Sequence, residues 1–484
     1  MTGTPLVKPT LRPRKPAALW RFAMLALVLT TVGCKSMPPE VNLWPIAQFS
    51  RDDAGSYRES RFVGPLIRIR KDDNDRDWAV HPIVRSRTPE SGYNNTLILW
   101  PISEYRSDER GSWFHILPLL LRRTQETLKG TERSLLIFPI LYTATSPYFG
   151  KSFMLFPFFG KVHQVLGRDE IRFFLFPLWM ESTLGKRRTW NFLWPFFGGA
   201  HGPGSGAWRF FPFWGRKWKD GVYDRKSILW PFFHFQRNHL DTKRPLRMFL
   251  FFPFYGQSKG PGSDQRTFLW PFFGTSSDRV AGTRVTSVPW PILQWAETPQ
   301  WKRFRFWPFY GRYDSDELKS RFYAWPLVWT RKETVPKYEK ESLTVFPFYR
   351  NRRRTSTDGE DRWHQLLIWP FYRQETSSDG QVAVRAPALN PFPEFKKIDD
   401  LYSPVWELYH RRGTSAKGEA EAVLGAVRHR WTPDEETFSV PWVYASHKTS
   451  DGKRDRWFLQ GLVRVTADGD KTVLRILSLP VLKW

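Results

Sequence analysis

Residues 267–274 read TFLWPFFG, and this aromatic–proline segment is repeated, with small changes, along most of the chain. Other copies are LWPI at Leu43 and Leu99, LFPF at Leu155, LWPFF at Leu193 and Leu229, FWPFY at Phe306 and IWPFY at Ile368. The prolines of these and related copies run from Pro45 to Pro370 with a period of about 19 residues. A proline inside a helix costs about 3 kcal/mol and the segments lack a 3.6-residue period, so the repeat predicts β-strands.

Short polar segments separate the repeats, and most of them contain Gly, Pro, Asp or Ser. Examples are SDERG at Ser107, GPG at Gly202, KDG at Lys219, GPGSD at Gly260 and TDGED at Thr357. Such segments form hairpin turns, so we expect antiparallel strands joined in sequence. Near the C terminus, SDGKRD and ADGDK enclose WFLQGLVRVT (457–466), which we predict to be one strand of about ten to twelve residues. One strand per repeat gives roughly two dozen strands.

The predicted fold class is all-β: an antiparallel up-and-down meander of about two dozen strands with aromatic–Pro repeats of about 19 residues. Equivalent repeats imply equivalent surroundings, which favours closure into a barrel, and a propeller or a sandwich is the alternative. Within one extended strand, alternation would place Phe268, Trp270 and Phe272 on one face and Leu269 and Phe273 on the other. Apolar residues on both faces of long strands suit a membrane barrel, but a soluble barrel or sandwich also fits.

The amino terminus has the composition of a targeting segment. Residues 1–21 carry five basic side chains and no acid, and the apolar run FAMLALVL follows at Phe22–Leu29. This order is typical of a secretory signal peptide. The apolar segment is shorter than the roughly 20 residues that a membrane-spanning helix needs, so we expect residues 1–33 to be removed.

The segment Thr31-Val32-Gly33-Cys34 contains the only cysteine of the chain. It resembles the lipobox of bacterial lipoproteins, with Thr31 where the lipobox usually has Leu. The resemblance implies that Cys34 is acylated and attaches the protein to membrane lipid, because two or three acyl chains anchor a protein firmly. Lys35 and Ser36, in place of an Asp after the cysteine, imply sorting to the outer membrane of a Gram-negative-type bacterium.

The lipoprotein resemblance covers only the leader and the two residues after Cys34. The expected organisation is a signal peptide at 1–33, a lipidated cysteine with a short tether at 34–42, and a single β-repeat domain at 43–484. We expect regular W-P-F repeats over 43–375 and divergent C-terminal hairpins over 376–484.

No catalytic, metal-binding or cofactor-binding residues are predicted. The ten histidines are dispersed, and the closest pair, His234 and His239, would point to opposite faces of a strand. The segment DDNDRD at 72–77 resembles the start of a calcium loop, but Trp78 stands where such a loop needs glycine. A single cysteine excludes internal disulfides and thiolate zinc sites. We therefore expect a non-enzymatic protein without a cofactor.

The 484 residues include 74 Lys and Arg against 47 Asp and Glu, which gives a net charge of +27. The cations are spread over nearly every turn and do not form one groove, so we expect no nucleic-acid partner. At an outer membrane they would face the phosphates of lipopolysaccharide or anionic phospholipid. Protein partners and ligand-binding residues are left open.

The sequence favours a non-enzymatic outer-membrane lipoprotein with a structural or a lipid- or lipopolysaccharide-handling role in the cell envelope. The alternative is a lipid-tethered soluble β-module that binds glycans or a protein partner through aromatic and basic surface residues. Both hypotheses account for the 26 Trp and 40 Phe, which provide far more ring surface than a disordered chain has.

Overall fold

The computed structural model describes residues 38–51, 57–72, 75–477 and 479–483, and within them the fold is all-β. Forty-six strands form one antiparallel sheet in which strands consecutive in sequence are neighbours. The predicted antiparallel meander is confirmed. The predicted two dozen strands are wrong, and the physical reason lies in the position of the proline.

The strands of the first half are β1 (Glu40–Leu43), β2 (Ala47–Arg51), β3 (Tyr57–Phe62), β4 (Ile67–Asp72), β5 (Asp75–Val80), β6 (Val84–Thr88), β7 (Asn94–Ile98), β8 (Ser103–Asp108), β9 (Gly111–Ile116), β10 (Leu120–Thr127), β11 (Gly130–Ile137), β12 (Leu141–Ser146), β13 (Gly150–Leu155), β14 (Phe159–Val165), β15 (Arg168–Phe174), β16 (Trp179–Leu184), β17 (Arg187–Phe192), β18 (Phe197–Gly202), β19 (Ser205–Phe210), β20 (Trp214–Lys219), β21 (Tyr223–Ile228), β22 (Phe233–Asn238) and β23 (Leu246–Phe251).

The strands of the second half are β24 (Tyr255–Gly260), β25 (Ser263–Phe268), β26 (Phe273–Asp278), β27 (Thr283–Ser287), β28 (Leu293–Glu297), β29 (Trp301–Phe306), β30 (Tyr310–Ser315), β31 (Leu318–Tyr323), β32 (Val328–Val335), β33 (Tyr338–Val345), β34 (Tyr349–Ser356), β35 (Arg362–Ile368), β36 (Tyr372–Ser377), β37 (Val382–Ala386), β38 (Tyr409–Gly413), β39 (Gly418–Ala422), β40 (Val427–Trp431), β41 (Glu435–Val440), β42 (Tyr444–Thr449), β43 (Arg454–Phe458), β44 (Val463–Asp468), β45 (Lys471–Ile476) and β46 (Leu479–Lys483).

Helical structure in the described residues is limited to three short elements. Helix α1 (Lys396–Tyr402) and the 3₁₀ turn η1 (Ser403–Val405) lie between β37 and β38, and the 3₁₀ turn η2 (Leu459–Gly461) lies between β43 and β44. Across the part of the chain that the structure describes, no helix has the length and apolar character needed to cross a bilayer.

Each repeat contains two short strands because the proline occupies a turn and not a strand. Between β17 and β18, the Phe196 N–H donates to the Leu193 carbonyl (2.8 Å), and the Trp194–Pro195 bond inside this turn is cis. This is the arrangement of a type VI turn. A period of about 19 residues is therefore one hairpin unit with two turns, and not one long strand.

The second turn of each unit is formed by the polar segments. Gly204 (φ +58°) lies in the turn between β18 and β19, and Gly359 (φ +78°) lies in the turn between β34 and β35. The hairpin turns predicted at these segments are confirmed. The predicted single strand at 457–466 is wrong, because β43 ends at Phe458 and β44 begins at Val463.

The two kinds of turn lie at opposite ends of the strands. We call the strand ends joined by the repeated proline turns the proline rim, and the opposite ends the glycine rim. The strands between the rims are four to eight residues long. A membrane-spanning β-strand needs about 9–11 residues, so the predicted match to membrane-spanning strands is also wrong.

The sheet does not close into a barrel. In the described residues, β1 pairs only with β2, and β46 only with β45. Turn residues occupy the outer edge of β1 instead: the Trp442 N–H donates to the Asn42 carbonyl (2.9 Å), and the Gln460 Nε2–H donates to the same oxygen (2.7 Å). The predicted barrel closure is therefore wrong. The propeller and sandwich alternatives are wrong as well, since one continuous sheet contains all 46 strands.

The sheet has two chemically different faces. The face that contains Phe192, Phe197 and Phe210, which are paired across β17–β19, is called the aromatic face. The face that contains Glu59, Arg61 and their paired residues is called the polar face. The predicted placement of Phe268 and Phe273 on opposite faces is wrong, because the residues between them form the turn and these two rings pair on one face.

A glycine on the polar face allows close packing between β30 and β31. A Cβ on Gly311 would lie 1.9 Å from the ring of Phe322, which is paired with it. Gly311→Ala should therefore displace this ring and destabilise the hairpin by about 1–3 kcal/mol. Hydrogen exchange followed by mass spectrometry should show faster exchange in β30 and β31. Gly274→Ala is the control, since its nearest atom is 3.3 Å away, and equal exchange in both variants would contradict this packing.

Candidate functional site

One row of side chains on the aromatic face runs beside the proline rim and is apolar across many strands. In β13–β26 each member is paired directly with the next: Leu155, Phe159, Phe174, Trp179, Phe192, Phe197, Phe210, Trp214, Ile228, Phe233, Phe251, Tyr255, Phe268 and Phe273. We call this set the aromatic row. It forms because the residues before and after each proline turn lie opposite each other in the antiparallel pair.

Neighbouring rings of the aromatic row contact each other across the strands. The ring centroids of Phe197 and Phe210 are 5.3 Å apart, and those of Phe233 and Phe251 are 4.9 Å apart. Ring pairs of this kind contribute about 0.5–1.5 kcal/mol beyond simple burial. The outward sides of the rings stay uncovered, and Phe174 keeps 55% of its surface exposed.

The proline turns continue this apolar surface beyond the ends of the strands. In the turn after β17, Trp194 is 47% and Phe196 is 48% exposed, and the turns at 229–232 and 269–272 are similar. We call the aromatic row together with these turn residues the apolar band. Monomeric soluble proteins rarely expose contiguous apolar patches larger than a few hundred Å², so the band is a candidate interface.

Positive charge appears on the aromatic face with increasing distance from the proline rim. In β17, Phe192 belongs to the aromatic row, Trp190 is the next residue on this face, and Arg188 follows. Strand β23 has the same order and ends at Arg247. At about 3.3 Å per residue, these arginines lie about 13 Å from the aromatic row. The face therefore changes from apolar to cationic within one strand length.

The polar face is buried where the first and last parts of the sheet meet. Arg428 of β40 is 1% exposed and forms ion pairs with Glu40 of β1 (2.8 Å) and Glu59 of β3 (2.5 Å). Arg61 of β3 forms an ion pair with Glu421 of β39 (2.7 Å). We call these five residues the end clasp. Arg428 and Glu59 are 369 positions apart, so the clasp joins distant parts of the chain.

The insert between β37 and β38, which contains α1, makes a second set of contacts. The His81 Nδ1–H donates to the Leu401 carbonyl (2.7 Å), and Arg373 of β36 pairs with Asp399 (2.7 Å). Further ion pairs of the insert are Arg85–Asp400, Lys397–Glu104 and Arg350–Glu394. The insert therefore connects the region of β5–β8 to that of β34–β36.

A cavity of about 860 Å³ lies between these two sets of contacts. Its lining includes Arg68, Asp77, Arg85 and Glu407, and it carries nearly equal numbers of basic and acidic side chains. Many of them are paired, as Asp77 is with Arg68 (3.1 Å) and Arg85 (2.9 Å). The cavity is therefore suited to holding the ends of the sheet together and shows no preference for a ligand of one charge.

Two carboxylates of the end clasp, Glu59 and Glu421, are ionised because arginines surround them. Burial raises the pKa of Glu421, but the charges of Arg61 and Arg428 outweigh it and lower that pKa to about 2. Burial acts on Glu59 in the same direction, and its neighbouring arginines bring the pKa well below the usual range of a glutamate. At neutral pH each buried arginine therefore faces a full negative charge.

Removal of the central arginine tests the end clasp. Arg428→Met leaves Glu40 without its buried partner and removes one of the arginines that pair with Glu59. Loss of one member of a buried ion pair costs about 3–5 kcal/mol. Hydrogen exchange should become faster in β1–β3 and in β39–β41, with no change in β17–β26. Arg188→Met, at an exposed position, is the control. Unchanged exchange of β1–β3 in Arg428→Met would show that the clasp does not stabilise this junction.

Because His81 is buried, the stability of the folded protein should depend on pH. Burial lowers the pKa of His81 to about 4, so its ring is neutral in the folded protein, whereas the unfolded chain takes up a proton below about pH 6.5. Stability should therefore fall as the pH drops from 6.5 to 4, by about 2 kcal/mol at pH 5. Opening free energies of β5 and β6 amides from hydrogen exchange at pH 7 and pH 5 measure this loss. His81→Gln should reduce it, and an equal loss in both proteins would contradict the assignment.

The one predicted site residue, Cys34, lies outside the described residues, and its acylation stays a prediction. The segment weighed as a calcium loop contains Asp75 and Asp77, which pair with Arg87 (2.7 Å) and Arg68 (3.1 Å). In the part of the chain covered by the structure, no group of three or more His, Cys, Asp or Glu is arranged to hold a metal ion.

The two histidines closest in sequence do not share a strand. His234 lies in β22, where its Nε2 is 3.0 Å from the Pro231 carbonyl, and His239 lies just beyond the end of this strand with a positive φ of 56°. The expectation that they point to opposite faces of one strand is therefore wrong.

Sequence reasoning missed both the apolar band and the end clasp. The signal for the band was present, because apolar residues such as Phe192 and Phe197 flank the prolines on both sides. Placing the proline in the turn makes these residues direct neighbours. No comparable signal exists for the clasp, because its partners are distant in sequence and surrounded by many similar Arg and Glu residues.

No protein-family model matches the chain, and no curated protein is significantly similar to it. The apolar band, the cations behind it and the end clasp therefore carry the functional inference.

Proposed function

We propose that this protein is a non-enzymatic outer-membrane lipoprotein that inserts its apolar band into one leaflet of the membrane. Its role in the cell envelope would be structural or would consist of handling lipid or lipopolysaccharide. The observation that carries the proposal is the apolar band, which places exposed Trp, Phe and Leu side chains in one continuous stripe at the proline rim.

The depth of the band supports partial insertion and not a membrane crossing. The band comprises the proline turns and one row of strand residues. Interfacial elements bury their apolar side about 5–10 Å into the boundary between headgroups and acyl chains. Trp and Tyr favour this boundary because their rings are apolar and carry a polar group.

The cations behind the band support an anionic membrane surface. Arg188 and Arg247 lie about 13 Å from the aromatic row, so they would lie near the lipid phosphates when the band is inserted. Each Lys or Arg close to an anionic surface contributes about 1 kcal/mol to binding. Acyl chains on Cys34, six positions before Glu40 of β1, would supply a second attachment of the kind that stable anchoring requires.

The alternative, a lipid-tethered soluble module that binds glycans or a protein, assigns the rings to a core or to a recognition patch. The rings of the aromatic row are half exposed and extend across many strands. This arrangement favours an extended lipid surface over a single compact partner.

Flotation with lipid vesicles tests the proposal. Cys34→Ser in the full chain removes the site of the acyl anchor. The variant protein should still float with vesicles of phosphatidylcholine containing phosphatidylglycerol. Changing Phe158, Phe196, Phe232 and Phe272 in the proline turns to Ser should weaken binding about tenfold or more, because each ring loses its transfer into lipid.

The matched control changes four exposed apolar residues of the glycine rim to Ser: Leu128, Leu166, Leu240 and Val280. These substitutions should leave vesicle binding nearly unchanged. A Cys34→Ser chain that stays in the lipid-free fraction and is monodisperse without detergent would rule out insertion of the sheet. Equal losses in the two sets of variants would also contradict a role for the proline rim.

A further inference from the structure

A shallow hollow of about 510 Å³ lies between β31 and β34, mainly on the aromatic face. Its lining includes Lys319, Arg321, Lys332, Glu341 and Arg353, and we call these five residues the cationic hollow. Strands β32, β33 and β34 have eight residues each, so they provide more length behind the apolar band than the six-residue strands do.

The register of the strands brings these side chains together. Lys319 is paired with Lys332, Lys332 with Glu341, and Glu341 with Arg353, so the four form one row across four strands. Strands are about 4.8 Å apart, and the outermost members of this row are therefore about 14 Å apart. The long stems of Lys and Arg can bring their charges to one ligand over this distance.

The acid in the hollow is already neutralised. Lys332 Nζ forms an ion pair with Glu341 (2.9 Å) and a second one with Glu339. The hydrogen bonds that Lys332 donates to these two carboxylates raise the pKa of Lys332, which keeps the ammonium charged. Glu341 and Lys332 therefore satisfy each other and leave the remaining cations uncompensated.

Three cations of the hollow have no acid partner. In the described part of the chain, no carboxylate lies within ion-pair distance of Lys319, Arg321 or Arg353. Many arginines elsewhere on this face do have one, as in the pairs Arg216–Asp224, Arg266–Asp264 and Arg312–Asp314. The hollow therefore combines surplus positive charge with a concave surface.

The position of the hollow matches the level of lipid phosphates in the proposed orientation. Tyr323 of β31 pairs with Tyr310 beside the proline rim. Arg321 is two residues and Lys319 four residues behind Tyr323 on the same face, at about 7 Å and 13 Å. With the apolar band inserted, these groups would lie where headgroup phosphates are found.

We infer that the cationic hollow binds the phosphate of a phosphorylated lipid headgroup, an inference that rests on the proposed function. The guanidinium groups of Arg321 and Arg353 present planar donors that match two phosphate oxygens each, and Lys319 adds a point charge. A volume of about 510 Å³ lies in the range of small-ligand sites.

Calorimetric titration with dihexanoyl phosphatidic acid, below its micelle concentration, tests the hollow without a membrane. The full chain with Cys34→Ser should bind this lipid, and Lys319→Gln, Arg321→Gln and Arg353→Gln together should weaken binding about tenfold or more, because three charge-assisted contacts are lost. The control combines Arg122→Gln, Lys151→Gln and Arg284→Gln, which remove the same charge from dispersed exposed positions of the same face. It should weaken binding less than about threefold.

Each outcome supports the inference or contradicts it. Equal losses of lipid affinity in the two triple variants would show that binding depends only on general charge attraction. That result would contradict a specific site in the cationic hollow. Inorganic phosphate that binds as tightly as the lipid would overturn the assignment to a lipid headgroup. Absence of lipid binding in a chain that still floats with vesicles would overturn this inference alone, whereas lipid binding without flotation would contradict only the proposed membrane insertion.

Discussion

The pairing of the two residues that flank each proline turn is the constraint on which the rest of the sheet depends. Phe192 and Phe197 lie opposite each other because the turn between them reverses the chain within four residues. Once this pair is set, alternation along each strand determines which side chains lie on the aromatic face and which lie on the polar face. The same pairing recurs at the following proline turns, and so the aromatic row extends across many strands.

Charged groups that are buried on the polar face are paired, both at the junction of the first and last parts of the sheet and against the insert, where Arg373 pairs with Asp399. Where the first and last parts meet, Arg428 and Glu59 are almost fully removed from water, and such charges are tolerated only when they are paired. The same junction covers the outer edge of β1 through Trp442 and Gln460. An uncovered strand edge would offer a template for pairing with another chain, so the junction both organises and protects this end.

The sequence was sufficient for the all-β class, the antiparallel order and the hairpin turns, because these follow from local chemistry. Turn formers such as the Asp-Gly at 358–359 and the missing helical period act within a few residues. The predicted number of strands is wrong because the prediction places the proline of each repeat inside a strand. Moving Pro195 into a turn doubles the number of strands and shifts Phe192 and Phe197 onto one face.

The candidate site could be predicted only in part, for a related reason. The abundance of rings and cations pointed to a lipid surface, but their arrangement as a band with cations behind it depends on register. The end clasp and the cationic hollow depend on side chains that meet across several strands or across most of the chain. Composition and spacing do not identify such contacts between distant side chains, since many Arg and Glu residues are equally plausible partners.

Strands of unequal length are accommodated at one end only. In the eight-residue pair β10 and β11, Leu120 and Ile137 remain opposite each other beside the proline rim, and the additional residues extend to Thr127 and Gly130 at the glycine rim. The pair β32 and β33 behaves in the same way, from Val328 and Val345 to Val335 and Tyr338. Insertions and deletions can therefore accumulate at one margin during evolution, and whole hairpins can be duplicated, while the opposite margin keeps an even outline.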